Sequence, residues 1–230
     1  MNNFELFEYI LRIPIILISL TVHEVAHGYA AYKLGDPTAK NLGRLSLNPL
    51  KHLDPIGALC MLLFRFGWAK PVPINTRYFK KPKRDMAISA LAGPLSNLFM
   101  AFVAYVISIY IATLSAQNGQ FGWALSGELL ILTETGNFLY ILYLFFDTFF
   151  LLNISLAVFN LLPIPPLDGS RILFVLLPDK IYFGVMKYEQ IISIGILVCL
   201  WTGLLDPVLN AVFGFFINIF NSIVQFLPFL

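Results

Sequence analysis

Residues 85–170 contain no lysine or arginine, and within them the run 86–115 far exceeds the roughly 20 apolar residues that cross a bilayer. In hydrocarbon every backbone polar group must find its partner inside the protein, so such a run can only be a helix. Several runs of this kind occur, and composition agrees. Of 230 residues, 58% are hydrophobic and 12% charged, against about 25% charged in soluble domains. The expectation is an all-α polytopic membrane protein with about five transmembrane segments. Three of them, about 4–33, 86–115 and 137–169, form the core. Segments at about 189–205 and 208–230 follow, the last either spanning or lying partly in the interface. Residues 1–230 read as a single membrane-embedded domain. Glu5 and Glu8 replace the basic start of a signal peptide. Cys60 and Cys199 do not make a disulfide framework.

Between these segments, the apolar stretch 56–69 is too short to span and is interrupted by Arg65. It is expected to form a re-entrant or interfacial hairpin at about 56–74. Of 15 lysines and arginines, 11 lie in residues 33–84. The positive-inside rule then makes that loop cytoplasmic, the Lys/Arg-free connector 116–136 external, and the loop 163–188 cytoplasmic again. An N-terminus outside and a multi-pass plasma-membrane location follow as expectations. The expected partners are the lipid bilayer and membrane proteins, not nucleic acid.

Inside the first segment stand His23-Glu24-Val25-Ala26-His27. On a helix, positions i and i+4 lie about 40° apart around the axis and ~6 Å apart along it, so two imidazoles can converge on one Zn²⁺. Glu24, beside the first ligand, can reach water at the metal and act as general base. Ionisable groups in a membrane helix are costly unless functional, and three on adjacent turns argue against mere interhelical packing. A third ligand is needed. Asp147 lies roughly 20 Å along the helix from Asn160, too far from the histidines. His52 sits in the basic loop and reads as a solvated or interfacial histidine. Asp168 follows Pro163, Pro165 and Pro166, which keep that stretch from being a regular helix, at a depth matching His27. It is the expected third ligand. Ala26, Gly28, Ala30 and Ala31, with Ala87, Ser89, Ala90, Ala92 and Gly93, read as small residues that let the first two core helices approach.

With these residues in view, the chain resembles the site-2 protease family of intramembrane zinc metalloproteases. The motifs that carry the likeness are His23-Glu24-Val25-Ala26-His27, then Gly93-Pro94-Leu95-Ser96-Asn97, then the run from Asn160 through Pro163 to Leu167-Asp168-Gly169. Gly67 to Pro73 also looks like a family loop. The resemblance implies a three-helix catalytic core in which His23, His27 and Asp168 hold one Zn²⁺ and Glu24 is catalytic. It implies that Asn160 contacts substrate backbone or the oxyanion and, less firmly, that Asn97 contacts substrate; Asn97 reads equally as an interhelical hydrogen bond. The implied substrates are membrane-anchored proteins cut in or beside a transmembrane helix. No stretch is long or polar enough for a PDZ or CBS domain, so the expectation is a compact member. The stretch 56–69 reads either as an edge that holds unwound substrate by strand addition or as an interfacial anchor. The competing reading is a membrane metal transporter or metal-binding protein using the same His/Asp site, and Glu24 is what separates the two.

Overall fold

The computed structural model describes residues 3–55, 57, 69–123, 129–131 and 134–226. Helix α1 covers Asn3–Lys33. It stops because Gly35 adopts φ +111°, which lets the Asp36 N–H reach back to the Ala31 carbonyl at 2.9 Å and closes the helix end. A short helix α2, Thr38–Asn41, and two 3₁₀ turns at Pro49–Lys51 and Thr76–Tyr78 make the loop that follows. Residues 56 and 58–68, most of the expected hairpin, lie outside the described residues. Its ends meet in an antiparallel bridge between Leu53 and Ala69, with the Lys70 N–H donating to the His52 carbonyl at 2.8 Å.

Helix α3, Pro82–Gln117, begins with proline at a position whose N–H would have no helical partner. Asp85, 1% exposed, accepts from the Lys81 N–H at 2.9 Å and pairs with Arg84. A two-stranded antiparallel ribbon, β1 Phe121–Trp123 and β2 Leu129–Ile131, leads to α4, Glu134–Asn160. Residues 161–167 then turn sharply, with a cis Pro165–Pro166 peptide, into the short α5, Asp168–Leu173. Helices α6 (Asp179–Met186), α7 (Glu189–Trp201) and α8 (Asp206–Val224) complete the chain.

Four described helices are long and apolar enough to cross a membrane: Tyr9–Lys33, Pro82–Gln117, Asn137–Asn160 and Asp206–Val224. The protein is a polytopic all-α membrane protein, with four such helices where about five were expected. The difference lies at α7. Its 13 residues make a helix of about 20 Å, short of the ~30 Å hydrocarbon core. The expected core segment 137–169 is likewise two pieces, because the prolines end α4 at Asn160.

Helix α3 packs against both α1 and α4. Small residues carry the contact: Ala90, Ala101 and Ala104 are all but sealed from solvent. Phe150, Ile154 and Val158 of α4 meet Ala101 and Ala104, with Phe220 of α8 closing that cluster. A second cluster of Leu162, Leu167 and Ile196 pins the turn before α5 beneath α7. On the outside, Ile18, Phe99, Val103 and Leu151 are exposed, as expected for side chains that face lipid instead of water.

Candidate metal centre

His23 and His27 lie one turn apart on α1, 6% and 7% exposed. Their rings meet edge to face with centroids 4.5 Å apart. Asp168, at the first turn of α5, reaches both: its Oδ2 is 3.2 Å from His23 Nε2 and 3.2 Å from His27 Nε2. The two Nε2 atoms are 2.9 Å apart. The three ligand atoms lie within 4.8 Å of one another and form the one such group among the described residues.

Hydrogen bonding settles what those atoms offer. The Phe149 carbonyl can only accept, so the Asn153 Nδ2 points to it at 2.8 Å and also donates to Ser19 Oγ at 2.9 Å. Asn153 Oδ1 therefore faces Asn97 and accepts from its Nδ2 at 2.8 Å. Asn97 Oδ1 is left facing His23, so His23 Nδ1 must carry the proton and donate, at 2.5 Å. For His27, the partner is the Ser89 carbonyl, to which Nδ1 donates at 2.8 Å. Both Nε2 atoms thus present lone pairs, pointed at each other and at a carboxylate. Three ligand atoms converge on one point, an arrangement that a bound cation satisfies. Their spacing of 2.9–3.2 Å is close to the ~3.3 Å between ligands of tetrahedral zinc with bonds of about 2.0–2.1 Å. Two nitrogens and one oxygen suit Zn²⁺, and the residues fit it.

Glycines make this closeness possible. A Cβ on Gly93 would lie 2.3 Å from His27 Nε2 and 2.7 Å from His23 Cε1, so the backbone of α3 itself walls the imidazoles. A Cβ on Gly169 would lie 2.3 Å from the Leu161 carbonyl oxygen, and only glycine permits the turn that brings Asp168 back. Gly28 behaves differently from expectation. A Cβ there would meet Leu45, Val72 and Ala39, so this small residue seats the loop after α1 and not the second core helix.

The remaining expected residues are placed as follows. Glu24 is partly buried and its Oε2 accepts from the Val72 N–H at 2.7 Å. Asn97 is 0% exposed with both ends of its amide engaged, which favours its reading as an interhelical bond over contact with substrate. Asn160 closes α4 with its Nδ2 donating to the Leu156 carbonyl at 2.9 Å. Asp147 stands on α4, partly buried and outside the metal-binding group. His52 is 2% exposed and its Nε2 donates to the Ser46 carbonyl at 2.8 Å, so of the two expected readings, solvated or interfacial, burial removes the first, and the ring pins the loop. Sequence reasoning missed Ser19, Ser89, Asn153 and Val72. Ser19 stands four residues before His23, on the same helix face, and Asn153 is an amide within an apolar helix. Both were visible as polar residues at lipid depth. Val72 carries no signal, since it acts through its backbone.

The sequence model of peptidase family M50 matches residues 12–202. A Bacillus subtilis protein named "Putative zinc metalloprotease YwhC" is 41% identical over 214 residues, covering 91% of this chain and 90% of its own. A Mycolicibacterium smegmatis protein of the same description, Rip2, is 32% identical over 66% of this chain and 52% of its own. The zinc metalloprotease MJ0392 of Methanocaldococcus jannaschii is 28% identical over 83% of this chain and 40% of its own. No solved structure gives a significant match.

Proposed function

The chain belongs to peptidase family M50 and is a multi-pass membrane zinc metalloprotease, and from that premise we propose that it cuts peptide bonds in or beside a transmembrane helix of membrane-anchored proteins. The observation that carries this reading is the convergence of His23 and His27, on a helix long and apolar enough to cross a membrane, with Asp168 at the start of α5, and with Glu24 next to His23. A zinc ion held by that trio supplies Lewis acidity, acidifying water toward a pKa of ~7 and polarising a carbonyl.

The other steps belong to the chain. Glu24 takes the proton of the attacking water as its oxygen bonds to the carbonyl carbon. As the C–N bond breaks, Glu24 passes that proton to the leaving amine. The Val72 N–H holds one Glu24 oxygen, which aims the other. Asn160, at the end of α4, holds substrate backbone with its amide. The basic loop supports a cytoplasmic-facing site and an external N-terminus, in a plasma membrane.

The deciding experiment is Glu24→Gln, assayed on a reporter transmembrane substrate in bilayers. Zinc content is expected to stay at one ion per chain while cleavage disappears. Retained cleavage would refute the mechanism. Zinc-dependent metal flux without any cleavage would favour the transporter reading instead.

A further inference from the structure

We infer that the loop 38–52 is a membrane foot: its outer face, Leu42, Leu47 and Leu50, inserts into the headgroup region of the leaflet on the active-site side, with Lys40 and Lys51 on acidic lipid phosphates. Three observations meet here. Leu42, Leu47 and Leu50 are 63%, 70% and 75% exposed, three large apolar side chains within nine residues of polar loop.

The loop is rigid behind them. Buried Arg44 donates to the Lys70 carbonyl at 2.7 Å, the His52 ring donates to the Ser46 carbonyl, and Lys51 Nζ donates to the Gly43 carbonyl at 3.3 Å. Buried Asp36 accepts from the Thr38 and Asn75 N–H groups at 2.9 and 2.7 Å. Leucines held outward on such a frame do not fold away.

Depth then identifies the occupant. The loop's inner face, through Leu45 and Ala39, packs on Gly28 of α1. Gly28 lies five residues before the helix end at Lys33, about 7.5 Å along the axis. The loop therefore runs back beside the last turns of a membrane helix instead of projecting into water. The same turns carry interface markers. Tyr29 is 53% exposed with Lys33 Nζ 5.3 Å from its ring centroid, and Tyr32 has Lys40 Nζ over its ring and bonded to its hydroxyl. Aromatic rings with lysines reaching past them mark the membrane–water boundary. At that level an apolar loop face with a cationic rim matches a leaflet of anionic lipid.

This inference does not depend on what the enzyme cuts. The test uses full-length protein with Cys60→Ser and Cys199→Ser, reconstituted in nanodiscs containing phosphatidylglycerol. Single cysteines at 42, 47 or 50 carry an environment-sensitive fluorophore, and exposed Lys80 is the control site. Labels at the three leucine positions are expected to be blue-shifted and to lose most of their emission to lipid-borne nitroxides but little to a water-soluble quencher. Omitting phosphatidylglycerol should weaken the lipid quenching. Labels that behave like the one at position 80 would overturn the inference. So would labels shielded from both quenchers only when two chains share a disc, which would make the face a contact between copies, or only when a substrate helix is added.

Discussion

At the scale of single residues, the centre is set as much by what cannot be there as by its ligands. A methyl group on Gly93 would occupy the space of His27 Nε2, 2.3 Å away. Gly93→Ala is expected to abolish stoichiometric zinc binding and to cost about 1–3 kcal/mol of stability from overpacking, read by metal analysis and thermal unfolding of the purified protein. The amide chain behind His23 gives a milder prediction. Asn153 dictates the orientation of Asn97, and Asn97 dictates which nitrogen of His23 is free. Removing such an outer partner commonly costs about 10–100-fold in metal affinity. Asn153→Leu should weaken zinc binding by that order in competition with a chelator. Unchanged affinity would mean that ring packing alone orients His23.

Among elements, the decisive contact joins α1 to the segment after the hairpin. Gly28 receives Val72 and Leu45, and the Val72 N–H in turn reaches Glu24. One helix face thus carries Glu24 and seats the residue whose backbone N–H holds it. Gly28→Leu is expected to push the segment off α1, leave zinc in place and reduce cleavage. Hydrogen exchange at Val72 should rise at least about tenfold, the equivalent of about 1.4 kcal/mol of opening free energy. Exchange at wild-type rates would show that the helix can absorb the side chain.

For the whole molecule, four spanning helices in place of five change where the chain ends. If the N-terminus lies outside, as proposed above, the fourth span among the described residues returns the chain to the outside as well. A topology reporter fused after the last residue should therefore report the external side, and a cytoplasmic signal would require either a fifth crossing or the opposite orientation. A zinc ion held by His23, His27 and Asp168 would tie α1 to α5. Ligand that binds only the folded state stabilises it by about 2.7 kcal/mol at 100 times its dissociation constant. Chelation should lower the melting temperature, and zinc affinity should fall in acid, because protons compete with the metal for its ligand atoms.

Much of this was legible in the linear chain. The apolar runs required helices, because lipid offers the backbone no other partner. The i, i+4 spacing of His23 and His27 and the proline-broken approach to Asp168 pointed to the three side chains that the structure brings together. Spacing along one helix is local geometry, and local geometry is written in sequence. What it could not show is where side chains from different helices end. The buried amide pair of Asn97 and Asn153, the hold of Val72 on Glu24, and the seat that Gly28 offers to a loop are all contacts between segments distant in the chain. The end of α7 was also misplaced: Gly203 at φ +73° turns the chain and the Leu204 N–H bonds back to the Cys199 carbonyl, before the Asp206-Pro207 break that ends the segment in the sequence. Sequence determined that this chain enters the membrane as helices bearing a His, His, Asp donor set. Tertiary structure decided which ring nitrogen is free, which oxygen of the base is held, and which apolar surfaces remain facing outward, since each depends on packing between helices and not on order along them.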